Sequence, residues 1–217
     1  MEHPSILASF QKLKNYCENE EFKGWDPYDG LNSRLFNALP VIRNNRFCKL
    51  SWIQFFRRSP INFRQITGIK KEFNTKGLAL FLTSYCNLYK QNQDPSYLHK
   101  INFLANKLIE LQCKGYSGSC WGYGFDWQAR AFFQPKNTPT VVATSFVADS
   151  LFNAYEINGE KKLLDTALSS VNFVLKDINR TYDDKGNFSF SYSPLDKIQV
   201  FNASLLGARL LSRAFFY

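Results

Sequence analysis

Histidine is almost missing from this chain of 217 residues: His3 and His99 are the only two. His3 stands at a terminus, and His99 lies in a segment that reads as a surface helix. That scarcity argues against a histidine-built metal centre and against a Ser-His-Asp triad, both of which need imidazole nitrogens at the reacting atoms. The five cysteines, Cys17, Cys48, Cys86, Cys113 and Cys120, are odd in number and match no zinc spacing. Three of them fall in apolar helical surroundings, where a free thiol acts as a small hydrophobe, and a reducing compartment fits that usage. No metal and no cofactor are expected. A Gly-rich phosphate cradle is lacking too, because the glycines of 115–124 alternate with aromatics and no Lys-Ser/Thr follows them. No apolar run is long enough to span a bilayer. Met1-Glu2-His3-Pro4 opens no basic-then-apolar leader, so the expectation is a cytoplasmic protein without a secretory signal.

Acidic residues are also in deficit, with 18 Asp and Glu against 27 Lys and Arg, a formal charge of +9. Such a surplus favours an anionic partner, or serves solubility alone. The cations are scattered, apart from Arg57-Arg58 through Arg64 to Lys70-Lys71. No long basic run and no RNA-binding aromatic signature appears, so nucleic acid is not an expected partner. Arg57, Arg58 and Arg64 suit a carboxylate or phosphate through their planar forks, or form a solvated basic loop.

Aromatics, by contrast, are plentiful, with 21 Phe, 11 Tyr and 4 Trp. They serve either as core mass or as ligand platforms. Apolar periodicity predicts helices over 4–17, 49–57, 74–90, 95–112, 139–155, 160–178 and 199–214. The first carries Ile6, Leu7, Phe10, Leu13 and Cys17 on one face. Those at 74–90 and 139–155 are apolar on all sides, which marks buried helices, while 95–112 and 160–178 are amphipathic. Residues 22–46, 113–137 and 179–198 read as long loops broken by Gly and Pro. Buried helix, amphipathic helix and long loop therefore recur in that order.

The recurrence has a spacing. An ungapped offset of 66 residues pairs Ser84 with Ser150, Asn87 with Asn153, Tyr89 with Tyr155, Asn92 with Asn158, Leu98 with Leu164 and Asn106 with Asn172. A third copy begins near Val200, where Ser204-Leu205-Leu206 echoes Ser145-Phe146-Val147 at an offset of 59. Two helices per repeat is how stacked helical hairpins read.

Three loops are distinctive: Gly24-Trp25-Asp26-Pro27-Tyr28-Asp29-Gly30, then the run from Gly115 through Trp121-Gly122-Tyr123-Gly124-Phe125-Asp126-Trp127-Gln128, then Phe190-Ser191-Tyr192-Ser193-Pro194. With Ser59-Pro60-Ile61-Asn62-Phe63-Arg64 and the hairpin pattern, the chain resembles an α/α-toroid (six-hairpin-like) family associated with bacterial polysaccharide and lipopolysaccharide biosynthesis. The resemblance implies an all-α fold, a single toroid domain over 1–217, and a glycan-related context. A six-hairpin ring at roughly 60 residues per hairpin needs about 350 residues. The expectation is therefore a partial ring of about three to four hairpins, truncated at its C-terminus. The last helix is apolar and has no amphipathic partner after it. Further hairpins or a second copy of the chain are expected to cover it.

In a toroid, the loops that enter the inner helices gather at one end of the barrel. Trp25, Tyr28, Trp121, Tyr123, Trp127 and Tyr192 would form an aromatic cluster there, either as a stacking platform for a glycan or other sugar-containing molecule, or as a plug for the barrel end. Asp29, Gln128 and Arg130 would serve the sugar hydroxyls. Glycoside-hydrolase-like or epimerase-like chemistry would fall to the carboxylates Asp26, Asp126 and Asp149, since glycoside cleavage uses an acid and a second carboxylate. Asp149 stands out because it lies within a buried helix, where it needs a raised pKa or an ion pair such as one with Arg209 or Arg130. Asp26 and Asp29 also suit turn chemistry. Two other readings stay open: an isoprenoid-handling toroid, which lacks the dense acidic helix motif that diphosphate chemistry wants, and a non-catalytic interaction scaffold.

Overall fold

Among the described residues, the side chains of Ser33, Asn45, Asp94 and Thr140 each cap the start of a helix. A computed structural model describes residues 4–130 and 132–217 and divides them into two compact units, one ending at Asn74 and one running from Thr75 to Tyr217.

The N-terminal unit begins with α1 (Pro4–Asn19), which opens on a proline at a position where no amide partner is needed. α1 buries none of its residues, and the expected face is open to solvent, with Ile6 68% and Leu13 61% exposed. The expected loop of 22–46 holds two short helices, α2 (Arg34–Asn37) and α3 (Pro40–Asn44). α4 (Arg46–Arg58) starts three residues before the expected Lys49. Its cap is Asn45, whose side chain accepts from the Phe47 and Cys48 amides. Phe36, Ile53 and Phe56 are buried, and Trp52 packs on Phe36, Phe55 and Phe56 while its indole donates to the Gly30 carbonyl. A backbone bridge between Gly24 and Glu72 ties the first aromatic loop to the end of the unit.

The second unit is built from helical hairpins. α5 (Thr75–Asn92) and α6 (Pro95–Glu110) form the first, and α7 (Val141–Asn158) and α8 (Lys161–Lys176) the second. α5 and α7 begin and end 66 residues apart, and so do α6 and α8, so the spacing read from sequence is the spacing of whole helices. α9 (Phe201–Ala214) starts 60 residues after α7, within one residue of the offset expected for a third copy. Asp94 caps α6, Thr140 caps α7, and Gly159 closes α7 in the left-handed conformation.

α7 is the centre of this unit, packing on α5, α6, α8 and α9, and it is buried nearly all round. α5 departs from expectation. It buries Leu78, Ala79, Leu82, Tyr85 and Cys86 but leaves Leu80 48% exposed. α6 and α7 cover one side of α5, so a helix apolar on all sides keeps an open face. α9 likewise exposes Phe201 and Leu205, at 70% each. The long loops carry two small antiparallel hairpins, β1 (Trp127–Gln128) with β2 (Phe133–Gln134), and β3 (Arg180–Tyr182) with β4 (Phe188–Phe190). The architecture is thus mostly helical, with two small sheets. No helix among the described residues is long and apolar enough to cross a membrane.

Candidate functional site

Two loops of the second unit converge at the N-terminal end of α7. The Val141 amide donates to the Tyr192 carbonyl at 3.0 Å, and the Thr140 amide donates to the Trp121 carbonyl at 3.0 Å. Thr144, one turn into α7, accepts from the Trp121 amide through its hydroxyl. Gly122 runs against Thr138 so closely that an added Cβ would stand 2.2 Å from the Thr138 carbonyl oxygen, which is why a glycine breaks the aromatic run there.

Above this base the aromatics meet. Trp127 and Phe132 stand edge-on at 5.5 Å, Tyr192 lies 5.6 Å from Phe132 and 6.1 Å from Trp127, and Tyr123 stacks on Phe125 at 5.6 Å. Tyr192 also hydrogen-bonds to Tyr123 and Thr140, and burial pushes its phenol above the usual range. Tyr123, Trp127, Phe132 and Tyr192 are only partly buried.

Trp121 is different. It is fully buried, and its indole donates to the Leu108 carbonyl at the end of α6. Its ring therefore offers no stacking face and acts as core. Gln128 is buried as well, and its amide donates to the Ala129 and Phe132 carbonyls, closing the turn of the β1–β2 hairpin. Arg130 is exposed at the tip of that turn. Asp126 sits in the same loop and accepts from the Lys136 amide at 2.7 Å.

Asp149 lies eight residues along α7 from Val141, about 12 Å at the helical rise. Its partners are on α9: Arg209 at 2.8 Å and Arg213, which also reaches the Asp149 carbonyl, Asn153 and Glu156. The crevice beside Asp149 measures about 10 Å³, the space of a single water, so it admits no sugar ring. Glu156 ties the same ends together, with Lys90 at 3.0 Å and the Tyr217 hydroxyl at 2.9 Å. Burial works to raise the Glu156 pKa, but Lys90, Tyr217 and Arg213 outweigh it and hold the carboxyl below the usual range.

The thiols Cys113 and Cys120 face each other across the loop that leads into Trp121. The Cys113 amide donates to the Cys120 carbonyl at 2.9 Å. A hydrogen bond between the two thiols holds Cys113 below the usual range and, with burial, pushes Cys120 above it. Burial raises the Cys86 thiol to about 12, as expected of a cysteine used as a hydrophobe.

The remaining sequence candidates belong to the N-terminal unit. Asp26 accepts from the Tyr28 amide and from the Asn74 side chain. Asp29 is buried against Arg64, whose Nε lies 2.7 Å from it and whose Nη2 donates to the Asp26 carbonyl. Burial pushes the Asp29 carboxyl up despite that partner. Both aspartates thus hold the Pro-Gly turn, and Arg64 is spent inside the unit. Arg57 stands over the Tyr28 ring at 5.2 Å. Trp25 lines an open cleft of about 460 Å³ together with Arg34, Gln65, Gly68, Ile69, Lys70 and Lys71.

Sequence reasoning missed Phe132, Arg34 and Gln65. Phe132 had a usable signal, lying five residues after Trp127 in an aromatic loop. Arg34 had none, because the cleft joins it and Trp25 to the 65–71 segment, 31 or more positions further along the chain. No cluster of three or more His, Cys, Asp or Glu side chains among the described residues is placed to hold a metal ion.

Fold and site define a helical-hairpin protein whose inter-hairpin loops build an aromatic surface at the start of its central helix. The chain matches no protein-family model, no curated protein and no solved structure.

Proposed function

We propose that this protein binds an acidic glycan in the assembly of cell-surface polysaccharide, on a helical scaffold that forms part of an α/α toroid. The observation that carries the reading is the group Trp127, Phe132 and Tyr192, half-open rings within 6.1 Å of one another on convergent loops. Sugars stack their C–H faces on such rings, while a plug would bury them as Trp121 is buried. The 66-residue hairpin spacing supports the toroid, and the exposed face of α9 suits cover by a second copy or by further hairpins.

Binding is favoured over two-carboxylate turnover. Of the proposed catalytic residues, Asp126 shares the loop of the aromatic group, whereas Asp149 is held by Arg209 and Arg213, and Asp26 by its turn. The test is calorimetry of the full chain against acidic and neutral oligosaccharides. Trp127→Ala is expected to weaken glycan binding at least tenfold while leaving the melting temperature within a few degrees. Unchanged affinity would remove the site, and glycan hydrolysis abolished by Asp126→Asn would replace binding with catalysis.

A further inference from the structure

We propose that the N-terminal unit carries its own cleft for an anionic group borne on a sugar ring, received by Arg34, Lys70 and Lys71 beside Trp25. The sugar ring rests on the glycan reading above; the preference for an anion rests on the cleft alone.

The cleft is built rather than incidental. The Trp25 indole donates to the Ile69 carbonyl at 3.0 Å, which fixes the ring against the 65–71 segment. That segment is pinned on its other side, where the Arg34 amide and the Ser33 hydroxyl both donate to the Thr67 carbonyl at 3.1 Å. Between these anchors Gly68 adopts a positive φ of 78°, and an added Cβ would stand 3.0 Å from Arg34 Cγ and Cδ. The backbone therefore packs on the Arg34 stem. A guanidinium held by its stem loses less freedom on meeting a ligand than one on a free side chain.

Its charge is one-sided. The lining carries three cations and no carboxylate. Lys71 lies 4.9 Å from the Trp25 ring centroid and 2.5 Å from Glu20 at the end of α1, so part of its charge is already answered. Arg34 and Lys70 are exposed, and among the described residues neither side chain has an ion-pair or hydrogen-bond partner. They supply the unanswered charge. An arginine fork fits a carboxylate or a phosphate in the same way, and an adjacent indole adds an apolar surface for the ring that carries it. A volume of about 460 Å³ is in the range of small-ligand sites. A uronate carboxylate and a sugar phosphate share this chemistry.

The experiment titrates the full chain with trigalacturonate, glucose 6-phosphate, maltotriose and inorganic phosphate, using calorimetry at low and moderate salt. One of the two acidic sugars is expected to bind at least tenfold more tightly than maltotriose, and its identity names the source of the anion. Arg34→Gln and Lys70→Glu are each expected to weaken that binding at least tenfold with an unchanged melting temperature, and Lys162→Glu on the exposed side of α8 to leave it intact. Added salt is expected to weaken binding in the unsubstituted chain, as for exposed charges. Equal binding of maltotriose, no binding of any probe, or affinities unaltered in both cleft variants would overturn the proposal. Acidic-sugar binding that survives both cleft variants but is lost in Trp127→Ala would end the cleft and leave the glycan reading standing. Inorganic phosphate bound as tightly as either sugar, and lost in Arg34→Gln, would end the sugar ring in the cleft and leave the glycan reading to the Trp127→Ala test.

Discussion

Four tryptophans and a handful of aspartates looked alike in the sequence, and the structure gives them different duties. Trp52 and Trp121 are framework, each with its indole donating to a backbone carbonyl, Gly30 and Leu108 respectively. Trp127 is only partly buried, and Trp25 lines a cleft. Trp121→Ala is accordingly expected to cost about 3–5 kcal/mol of stability, the range for emptying a large buried aromatic site. Chemical denaturation checks this; a loss below about 1 kcal/mol would show that the ring is not core. Neighbours in one loop, Trp121 and Trp127, were indistinguishable in sequence because which ring faces inward depends on the backbone path. Gly122 sets that path through its contact with Thr138, sixteen residues on.

At the scale of elements, caps and periodicity made most helices readable. Asp94-Pro95 and Asn158-Gly159 fall where α6 begins and α7 ends. The start of α4 was missed because its cap, Asn45, lies in a stretch that read as loop. Partners distant in sequence were less legible. The sequence leaves Asp149 either a raised pKa or an ion pair with Arg209 or Arg130; the structure pairs it with Arg209, and more fully with Arg213. The link from α7 to α9 carries a pH signature. Glu156 titrates below its ordinary value in the folded chain, so the unfolded state binds more protons as the medium is acidified. Its stabilising contribution is full above the unfolded value and is lost as pH falls through the folded one. Because Glu156 is partly exposed, that contribution is screened and stays below about 1 kcal/mol. Glu156→Gln should therefore flatten the acid limb of a melting-temperature profile below about pH 5 and leave the limb above pH 7 parallel. Identical acid limbs would separate Glu156 from this linkage.

For the molecule as a whole, the sequence spacing proved the most reliable guide to architecture, and the net charge the least informative about place. A charge of +9 does not say where cations gather, whereas the cleft draws Arg34 beside Lys70 and Lys71. The exposed face of α9 bears on assembly. If a second copy seats there, the mass from light scattering will exceed 25.2 kDa and rise with concentration, and Phe201→Ser with Leu205→Ser will return it to 25.2 kDa. A constant monomer mass in both chains would leave that face free of self-association.

The two hairpins of the second unit agree in length to the residue, while the connection before α9 is six residues shorter than the one before α7. The difference between these two connections thus falls in segments that carry aromatics. Residues added or removed near Arg130 or Lys185 would not shift the register of the helices beneath. The scaffold can hold its pitch while its loops are rewritten, so the loop surface can diverge without cost to the helices.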